Sequence, residues 1–139
     1  RTEPAAPAHA AGAPQAHLRR GQVRLALCDW AGAVSDLEQV LAVRPDELAA
    51  TLDLSRALAA LGREAEARAR LQAFLELRPR CVPVLNRMGE LCWAAYRADP
   101  VLGRDELEAA IAWWQRSLAI DADQPEVQKL LDAGRRERR

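Results

Sequence analysis

The residues best suited to chemistry in this chain are three cysteines and two histidines, and their spacing forms no reactive or metal-binding motif. Cys28, Cys81 and Cys92 are far apart, and none belongs to a CxxC pair. Because His9 and His17 both lie near the start, a tetrahedral zinc site would need scattered ligands. Two interpretations stay open, a zinc site of distant residues or three unreactive thiols, and the second is favoured. We expect neither a metal nor a cofactor.

Other candidates for catalysis are equally sparse. Ser35 and Ser117 lie inside helical patterns, away from any histidine, and no glycine-rich loop follows a strand. Acidic neighbours such as Glu64 and Glu66 occur at expected helix starts, where carboxylates interact favourably with the helix dipole. We therefore expect no catalytic activity in this chain.

The elements that would position these side chains follow a repeat of 34 residues. Four positions recur at this spacing, namely Ala33 and Ala67, Leu37 and Leu71, Leu41 and Leu75, and Pro45 and Pro79. A period of this length that holds two helical patterns and ends at a proline is typical of helix-turn-helix repeat arrays. Such arrays hold other macromolecules, so the repeat predicts a binding function.

The composition favours a fully helical chain. Half of the 139 residues are apolar, but they include only one Phe, one Tyr and four Trp. The core must therefore consist of Ala and Leu, which favours helix packing. We predict an all-α fold, a right-handed superhelical stack of antiparallel helix pairs. The predicted segments are a flexible linker or terminus at 1–13, repeats at 14–47, 48–81 and 82–123, a capping helix at 124–133 and a basic tail at 134–139.

Local signals predict where several helices begin and end. The expected N-terminal signals are Asp29, Asp46, and Asp123 with Pro125. Gly62 is expected to supply the left-handed residue that ends a helix, and Gly134 is expected to end the last one.

The third repeat is nine residues longer than the period, and the surplus lies at 96–105. Insertions in repeat arrays map to loops, so we expect this segment to lengthen a helix and then bulge near residues 99–103. On the next helix, Trp113 and Trp114 point about 100° apart. Trp114 continues the apolar stripe and is expected in the core. Trp113 either packs against the insertion or contacts a partner.

Charge and hydropathy narrow the class of partner. Twenty basic residues balance twenty acidic ones, so no net field attracts nucleic acid or an anionic membrane, and we expect no nucleic-acid binding. No apolar run approaches membrane-spanning length, so we expect no membrane insertion of this segment. The compartment stays open, because unpaired cysteines favour the cytoplasm whereas an upstream anchor would allow an envelope-tethered location. The richness in Ala, Arg and Leu is typical of bacterial chains from GC-rich genomes.

These patterns resemble the tetratricopeptide repeat (TPR) family, as three repeats followed by a C-terminal capping helix. In that family the first helix carries a small residue, matched here by Gly21, Ser55 and Gly89. The second helix begins with an alanine and has a large apolar residue four positions later, matched by Ala33 and Leu37, Ala67 and Leu71, and Ala110 and Trp114. The proline that ends the repeat is matched by Pro45 and Pro79 and replaced by Ala122. The sequence departs from the family at His17, Thr51 and Leu85, where an aromatic is usual, and at Arg20 and Arg24, where apolar residues are usual.

The resemblance implies a concave groove, lined by the first helices, that binds peptides or helices of other proteins. The groove positions carried over are Leu18, Arg19, Gln22 and Leu25, then Leu52, Asp53, Arg56 and Ala59, then Asn86, Arg87, Glu90 and Trp93. Arginine forks beside leucines and a tryptophan are suited to a segment with an apolar anchor and an acidic group. The alternative stays open that Arg19, Arg56 and Arg87 are ordinary solvated charges.

Some members of the family hold the C-terminal carboxylate of a chaperone with a set of lysine, asparagine and arginine. Most positions of that set carry other residues here, namely Leu18, Gln22, Asp53 and Pro83. Only Arg87 matches, so a receptor for chaperone tails is not expected.

We predict a protein–protein interaction scaffold without catalysis, which binds a peptide or helix of an unidentified partner protein in a concave groove. The alternative is an accessory repeat domain of a larger enzyme or envelope assembly that docks the substrate or the catalytic part. The start at Arg1 rather than Met keeps this alternative open. A third option is a homodimer formed through the insertion and Trp113.

Overall fold

The computed structural model describes the backbone of residues 5–139 and the side chains of residues 13–139, and residues 1–4 lie outside the described part. Within residues 5–139 the chain forms helices joined by short turns, with no strand. The helices are α1 (Ala5–Ala26), α2 (Trp30–Val43), α3 (Leu48–Ala60), α4 (Glu64–Leu77), α5 (Val82–Ala98), α6 (Arg104–Ile120) and α7 (Pro125–Arg138). The predicted all-α class, built from consecutive helix pairs, is confirmed.

The chain divides into two compact units, Arg1–Phe74 and Leu75–Arg139, and the boundary falls inside α4. In the first unit, α1 packs against α2 and α2 packs against α3. A β-carbon at Gly21 would lie 3.0 Å from the side chain of Leu37, so the small residue lets α1 approach α2 closely. The largest side chains buried in this unit are Leu37, Leu54, Leu58 and Leu71. Ala33 and Ala67 are fully buried near the starts of α2 and α4.

In the second unit, α5 packs against α6 and α6 packs against α7. Trp114 is 0% exposed, which confirms the prediction that it belongs to the core. A β-carbon at Gly89 would lie 2.3 Å from Trp114 Nε1, so the indole reaches α5 only because residue 89 is glycine. The other buried residues of this core cluster are Cys92, Tyr96, Leu107, Ala110, Ile111, Val127 and Leu131.

Helix α1 begins earlier than its pattern predicts. It starts at Ala5 and includes Pro14, so residues 5–13, expected in a linker, are helical, while the rest of that segment lies outside the described residues. The first helix therefore begins before residue 14, the predicted start of the first repeat. The physical reason is that six of the nine residues at 5–13 are alanine, which has the highest helix propensity.

Helix α7 ends later than predicted. Gly134 lies inside it, and the helix continues to Arg138. Two side-chain contacts hold this last turn: the Tyr96 hydroxyl donates to Glu137 Oε1 at 3.0 Å, and Arg138 Nε lies 3.2 Å from Glu108 Oε2. These tertiary contacts outweigh the tendency of glycine to end a helix.

The other helix-end signals have mixed outcomes. Asp29 caps α2 as predicted, since its side chain accepts from the backbone N–H of Gly32. Gly62 adopts the expected left-handed conformation, with φ of 77°. Asp46 and Asp123 are wrong as cap positions, because Glu47 and Gln124 precede the first residues of α3 and α7. In each case the turn continues for one more residue than predicted. Pro125 does begin α7.

The insertion in the third repeat has the predicted form. Helix α5 has 17 residues, whereas α3 has 13, and a turn at residues 99–103 follows it. The backbone N–H of Leu102 donates to Asp99 Oδ1 at 3.1 Å, and the N–H of Gly103 donates to the Asp99 carbonyl at 2.8 Å. The surplus residues therefore lengthen a helix and close a short hydrogen-bonded turn.

Candidate functional site

In the first unit, three candidate groove residues of α1 and α3 form one polar cluster. Gln22 Nε2 donates to Asp53 Oδ2 at 3.2 Å, and Arg56 Nη1 donates to Asp53 Oδ1 at 2.8 Å. Asp53 is half-buried, whereas Gln22 and Arg56 are exposed. Because an arginine has five N–H donors, Arg56 retains further donors for an incoming acceptor.

The other candidates in the first unit differ in exposure. Arg19 is exposed, and Leu25, Leu52 and Ala59 are half-buried. Leu18 is only 9% exposed and contributes to the core. The surface next to the polar cluster is therefore a mixture of charge and half-buried apolar side chains, without Leu18.

The first unit also contains a buried carboxylate that the sequence pattern did not reveal. Asp36 is 1% exposed. Arg20 donates to it through Nε and Nη2 at 2.8–3.1 Å, and Arg24 Nη1 donates to it at 3.0 Å. Burial acts to raise the pKa of Asp36, but hydrogen bonds from Arg20 and His17 and the charges of both arginines outweigh it, so this pKa lies below its ordinary value.

This contact explains why Arg20 and Arg24 depart from the apolar pattern of the family. They lie one turn apart on the same face of α1, so both reach the single carboxylate of Asp36 on α2. A pair of basic residues four positions apart is visible in the sequence, but their common partner on the next helix is not. The role of this cluster is to fix α1 against α2.

In the second unit, the polar candidate residues of α5 have different hydrogen-bond partners. Arg87 Nη1 donates to Glu90 Oε1 at 3.1 Å, and the Arg87 side chain is 18% exposed. Asn86 Nδ2 donates at 2.8 Å to Oε1 of Gln124, the residue before α7. Gln124 Nε2 in turn donates to the Ser117 hydroxyl at 3.0 Å. Asn86 therefore links α5 to the start of α7, whereas Glu90 is exposed to solvent.

Trp93, the last candidate of α5, borders an open depression of about 320 Å³ between α5 and α7. Its half-buried ring lies 5.6 Å from the ring of Tyr96 and 5.8 Å from that of Trp114, measured between centroids. The guanidinium of Arg97 lies over the Trp93 ring, 5.6 Å from its centroid. The remaining lining residues are Ala133, Arg136 and Glu137. Sequence reasoning missed the last two because it ended α7 at Gly134.

The insertion places two apolar side chains in solvent. Val101 is 84% exposed and Leu102 is 82% exposed. Trp113 is half-buried, and the guanidinium of Arg116 lies 5.3 Å from the centroid of its indole. The homodimer through Trp113 and the insertion stays a prediction.

The cysteines and histidines do not converge in the part of the chain that the structure describes. Cys28 is exposed, Cys81 is half-buried and Cys92 is buried, and none of the three forms a disulfide. Among the described residues, no group of three or more His, Cys, Asp or Glu side chains is placed to hold a metal ion. None of the helices described here combines the length and apolar character needed to cross a bilayer.

Comparison with known families identifies the repeat. Residues 24–86 match the family model for the tetratricopeptide repeat. The match runs from the end of α1 through α2, α3 and α4 into α5, and it confirms the resemblance predicted from the 34-residue period. No curated protein sequence matches the chain significantly.

Solved structures share the fold at low sequence identity. The first TPR domain of human RPAP3 superimposes with a TM-score of 0.74 and 13% identity, covering 91% of this chain and 92% of that one. The first TPR of Spaghetti (RPAP3) bound to the HSP90 peptide SRMEEVD superimposes with a TM-score of 0.73 and 14% identity, covering 89% of this chain and 91% of that one. MamA from Desulfovibrio magneticus RS-1 superimposes with a TM-score of 0.67 and 21% identity, covering 87% of this chain and 63% of that one. At these identities the likeness shows that the chain has the fold of TPR domains.

Proposed function

Because the chain carries tetratricopeptide repeats, we propose that it binds a peptide or helical segment of a partner protein through the first helices of its repeats. The observation that carries the proposal is a side-chain pattern shared by α3 of the first unit and α5 of the second. On α3, the pair of Asp53 and Arg56 lies beside half-buried Leu52. On α5, the pair of Arg87 and Glu90 precedes half-buried Trp93. A partly exposed ion pair next to an apolar side chain offers a peptide both donors and an apolar contact.

The fold comparison supports the class of ligand. The first TPR of Spaghetti holds a peptide, so a domain of this fold is able to bind one. The present chain lacks most of the set that would hold a chaperone tail, since only Arg87 matches it. We therefore propose a peptide ligand other than a chaperone C-terminus.

The same surfaces would also serve an accessory domain that docks a substrate or a catalytic part within a larger enzyme or an envelope assembly. That alternative uses the same residues and differs only in whether the ligand segment belongs to another chain.

Selection of a phage-displayed peptide library on the intact chain tests the proposal. We expect enriched peptides to bind with micromolar dissociation constants, and Arg56→Glu or Arg87→Glu to weaken binding at least tenfold, because each reverses the charge that faces the ligand. Arg44→Glu and Arg80→Glu are matched controls, since both arginines are exposed on turns between helices.

Circular dichroism must show equal helicity for all four variants. Failure to enrich any peptide family would contradict the proposal. Equal binding by the test and control variants would contradict the assignment of the first helices as the binding surface.

A further inference from the structure

The depression between α5 and α7 has a mostly polar lining, in which Trp93 is the one aromatic side chain and is held in place by the core. The Trp93 ring contacts the rings of Tyr96 and Trp114, which are both buried, so its orientation is fixed from below. Ala133 on α7 adds a small apolar side chain on the opposite side. An aromatic side chain fixed in this way contributes contact area at low entropic cost on binding.

The rim of the depression has an excess of positive charge. Arg97 and Arg136 are both exposed, and neither forms an ion pair with another described side chain. Glu137, the acidic residue of the rim, already accepts a hydrogen bond from the Tyr96 hydroxyl. Arg138, on the same turn of α7, is paired with Glu108 and does not line the depression. The Arg97 guanidinium lies over the Trp93 ring and keeps N–H donors at its edge, so Arg97 and Arg136 can both donate to one anionic group.

We infer that this depression binds an acidic segment of a partner protein, with an apolar side chain of that segment on Trp93 and Ala133 and a carboxylate held by Arg97 and Arg136. The inference rests on the proposed function and specifies the chemistry of the ligand. Charge complementarity carries it, because two arginine forks match a carboxylate and each offers several donors. A volume of about 320 Å³ accommodates one side chain with a neighbouring carboxylate.

Other occupants fit the observations less well. The net charge of the chain is zero, so no long-range field favours a nucleic acid, whose affinity depends on neutralising many phosphates. A second copy of the chain would need a larger apolar area than one indole and one alanine provide. Both occupants are nevertheless distinguishable outcomes of the test below.

In the test, five-residue peptides with blocked ends are titrated into the full chain. Binding is followed by ¹H–¹⁵N NMR of the tryptophan indole N–H groups of the chain. The probe has a leucine between two pairs of glutamates, and the comparison peptides replace the leucine by serine or the glutamates by lysines. Assignment of the Trp93 signal comes from Trp93→Phe. We expect the acidic leucine peptide to shift the Trp93 signal, and each comparison peptide to bind at least tenfold more weakly.

The variant pair gives the decisive comparison. The double variant Arg97→Gln with Arg136→Gln is expected to bind the acidic peptide at least tenfold more weakly. Arg135→Gln with Arg80→Gln removes the same number of charges outside the depression and is expected to change the affinity less than threefold. Unchanged affinity in the first variant would overturn the inference.

The remaining outcomes separate this inference from the proposed function. If library peptides of another charge class bind and the acidic probe does not, the depression is not an acidic-peptide site and the proposed function stands. If no peptide binds at all, both fail. Shifts of the Trp93 signal caused by a single-stranded oligonucleotide alone, or by raising the protein concentration alone, would assign the depression to a nucleic acid or to a second copy and overturn the inference.

Discussion

At the scale of single residues, Asp36 shows how a buried charge is tolerated in a small helical unit. Its carboxylate is almost fully buried, yet Arg20 and Arg24 supply hydrogen bonds to both oxygens while keeping contact with solvent. A buried carboxylate without such partners would bind a proton and show a raised pKa. The lowered pKa of Asp36 therefore reports a contact that favours the folded state.

Replacing Asp36 by asparagine is expected to lower the free energy of unfolding at pH 7 by about 1–3 kcal/mol, because the two arginines lose the negative charge and one of the two acceptor oxygens, while both remain partly hydrated. Since the pKa is lower in the folded state, the contribution is complete above about pH 4, the ordinary pKa of aspartate, and is lost as the pH falls through the lower folded value. Urea unfolding from pH 7 to pH 2 should therefore show the difference between the two proteins shrinking at the acidic end. A difference that stays constant would contradict this account. Asp53→Asn is the control, with a smaller effect expected at half-buried Asp53.

Gly89 and Gly134 make a matched pair for testing close packing against Trp114. Both lie inside helices, so alanine gains about the same helix propensity at either position, roughly 1 kcal/mol. At Gly89 the added carbon would lie 2.3 Å from the indole nitrogen, whereas at Gly134 the nearest atom, Ile111 Cγ1, is 3.1 Å away. We expect Gly89→Ala to destabilise the chain by about 1–3 kcal/mol and Gly134→Ala to change little. Thermal unfolding of both variants checks this, and equal midpoints would show that the indole moves aside freely.

What the sequence predicts at this scale depends on how local the signal is. The small residue at Gly89 and the large one at Trp114 follow from the repeat period, and both are confirmed. The Asp36 cluster was missed, because its arginines belong to a neighbouring helix and no local pattern encodes the contact. Arg136 of the depression was missed because a helix end was misplaced.

At the scale of helices, the last turns of α7 decide whether the depression beside Trp93 exists. In the sequence, Gly134 and the basic residues after it predict that the helix has ended. In the structure, Glu137 accepts a hydrogen bond from Tyr96 on α5, and Arg138 forms an ion pair with Glu108 on α6. Helix boundaries are set by such tertiary contacts as well as by propensity, and therefore local signals misplace them. The existence of each helix in residues 14–139 was predicted correctly, whereas Glu47 and Gln124 show how the ends shift by a residue.

The contact between α5 and α7 can be measured through the single tyrosine of the chain. Burial raises the pKa of Tyr96, and the hydrogen bond to Glu137 and its negative charge raise it further. We expect phenolate absorbance to titrate with a midpoint above the ordinary value of about 10, and Glu137→Gln to lower that midpoint, since the charge is removed. Glu126→Gln, on an exposed position of the same helix, is the control and should leave the midpoint unchanged. A Tyr96 midpoint insensitive to Glu137 would mean that α7 ends before this residue in solution.

At the scale of the whole molecule, the equal numbers of basic and acidic residues affect how the chain associates with partners. Twenty basic and twenty acidic residues give no net charge at pH 7, so recognition depends on local groups such as Arg97 and Arg136. The absence of a net charge also removes the repulsion that keeps copies of a protein apart. Self-association near neutral pH then depends on how much apolar surface the exposed side chains provide.

The turn at residues 99–103 is where self-association through exposed apolar side chains can be tested. Val101 and Leu102 are largely exposed, but two side chains provide far less than the roughly 800 Å² per partner of a stable interface. We expect light scattering after size exclusion at pH 7 and micromolar concentration to give the mass of one chain, 15.3 kDa. A mass twice as large would show that Trp113 or other surfaces add to the turn. If Val101→Ser with Leu102→Ser then restored the single-chain mass, the insertion would be the self-association site. If the doubled mass persisted in that variant, the interface would lie elsewhere.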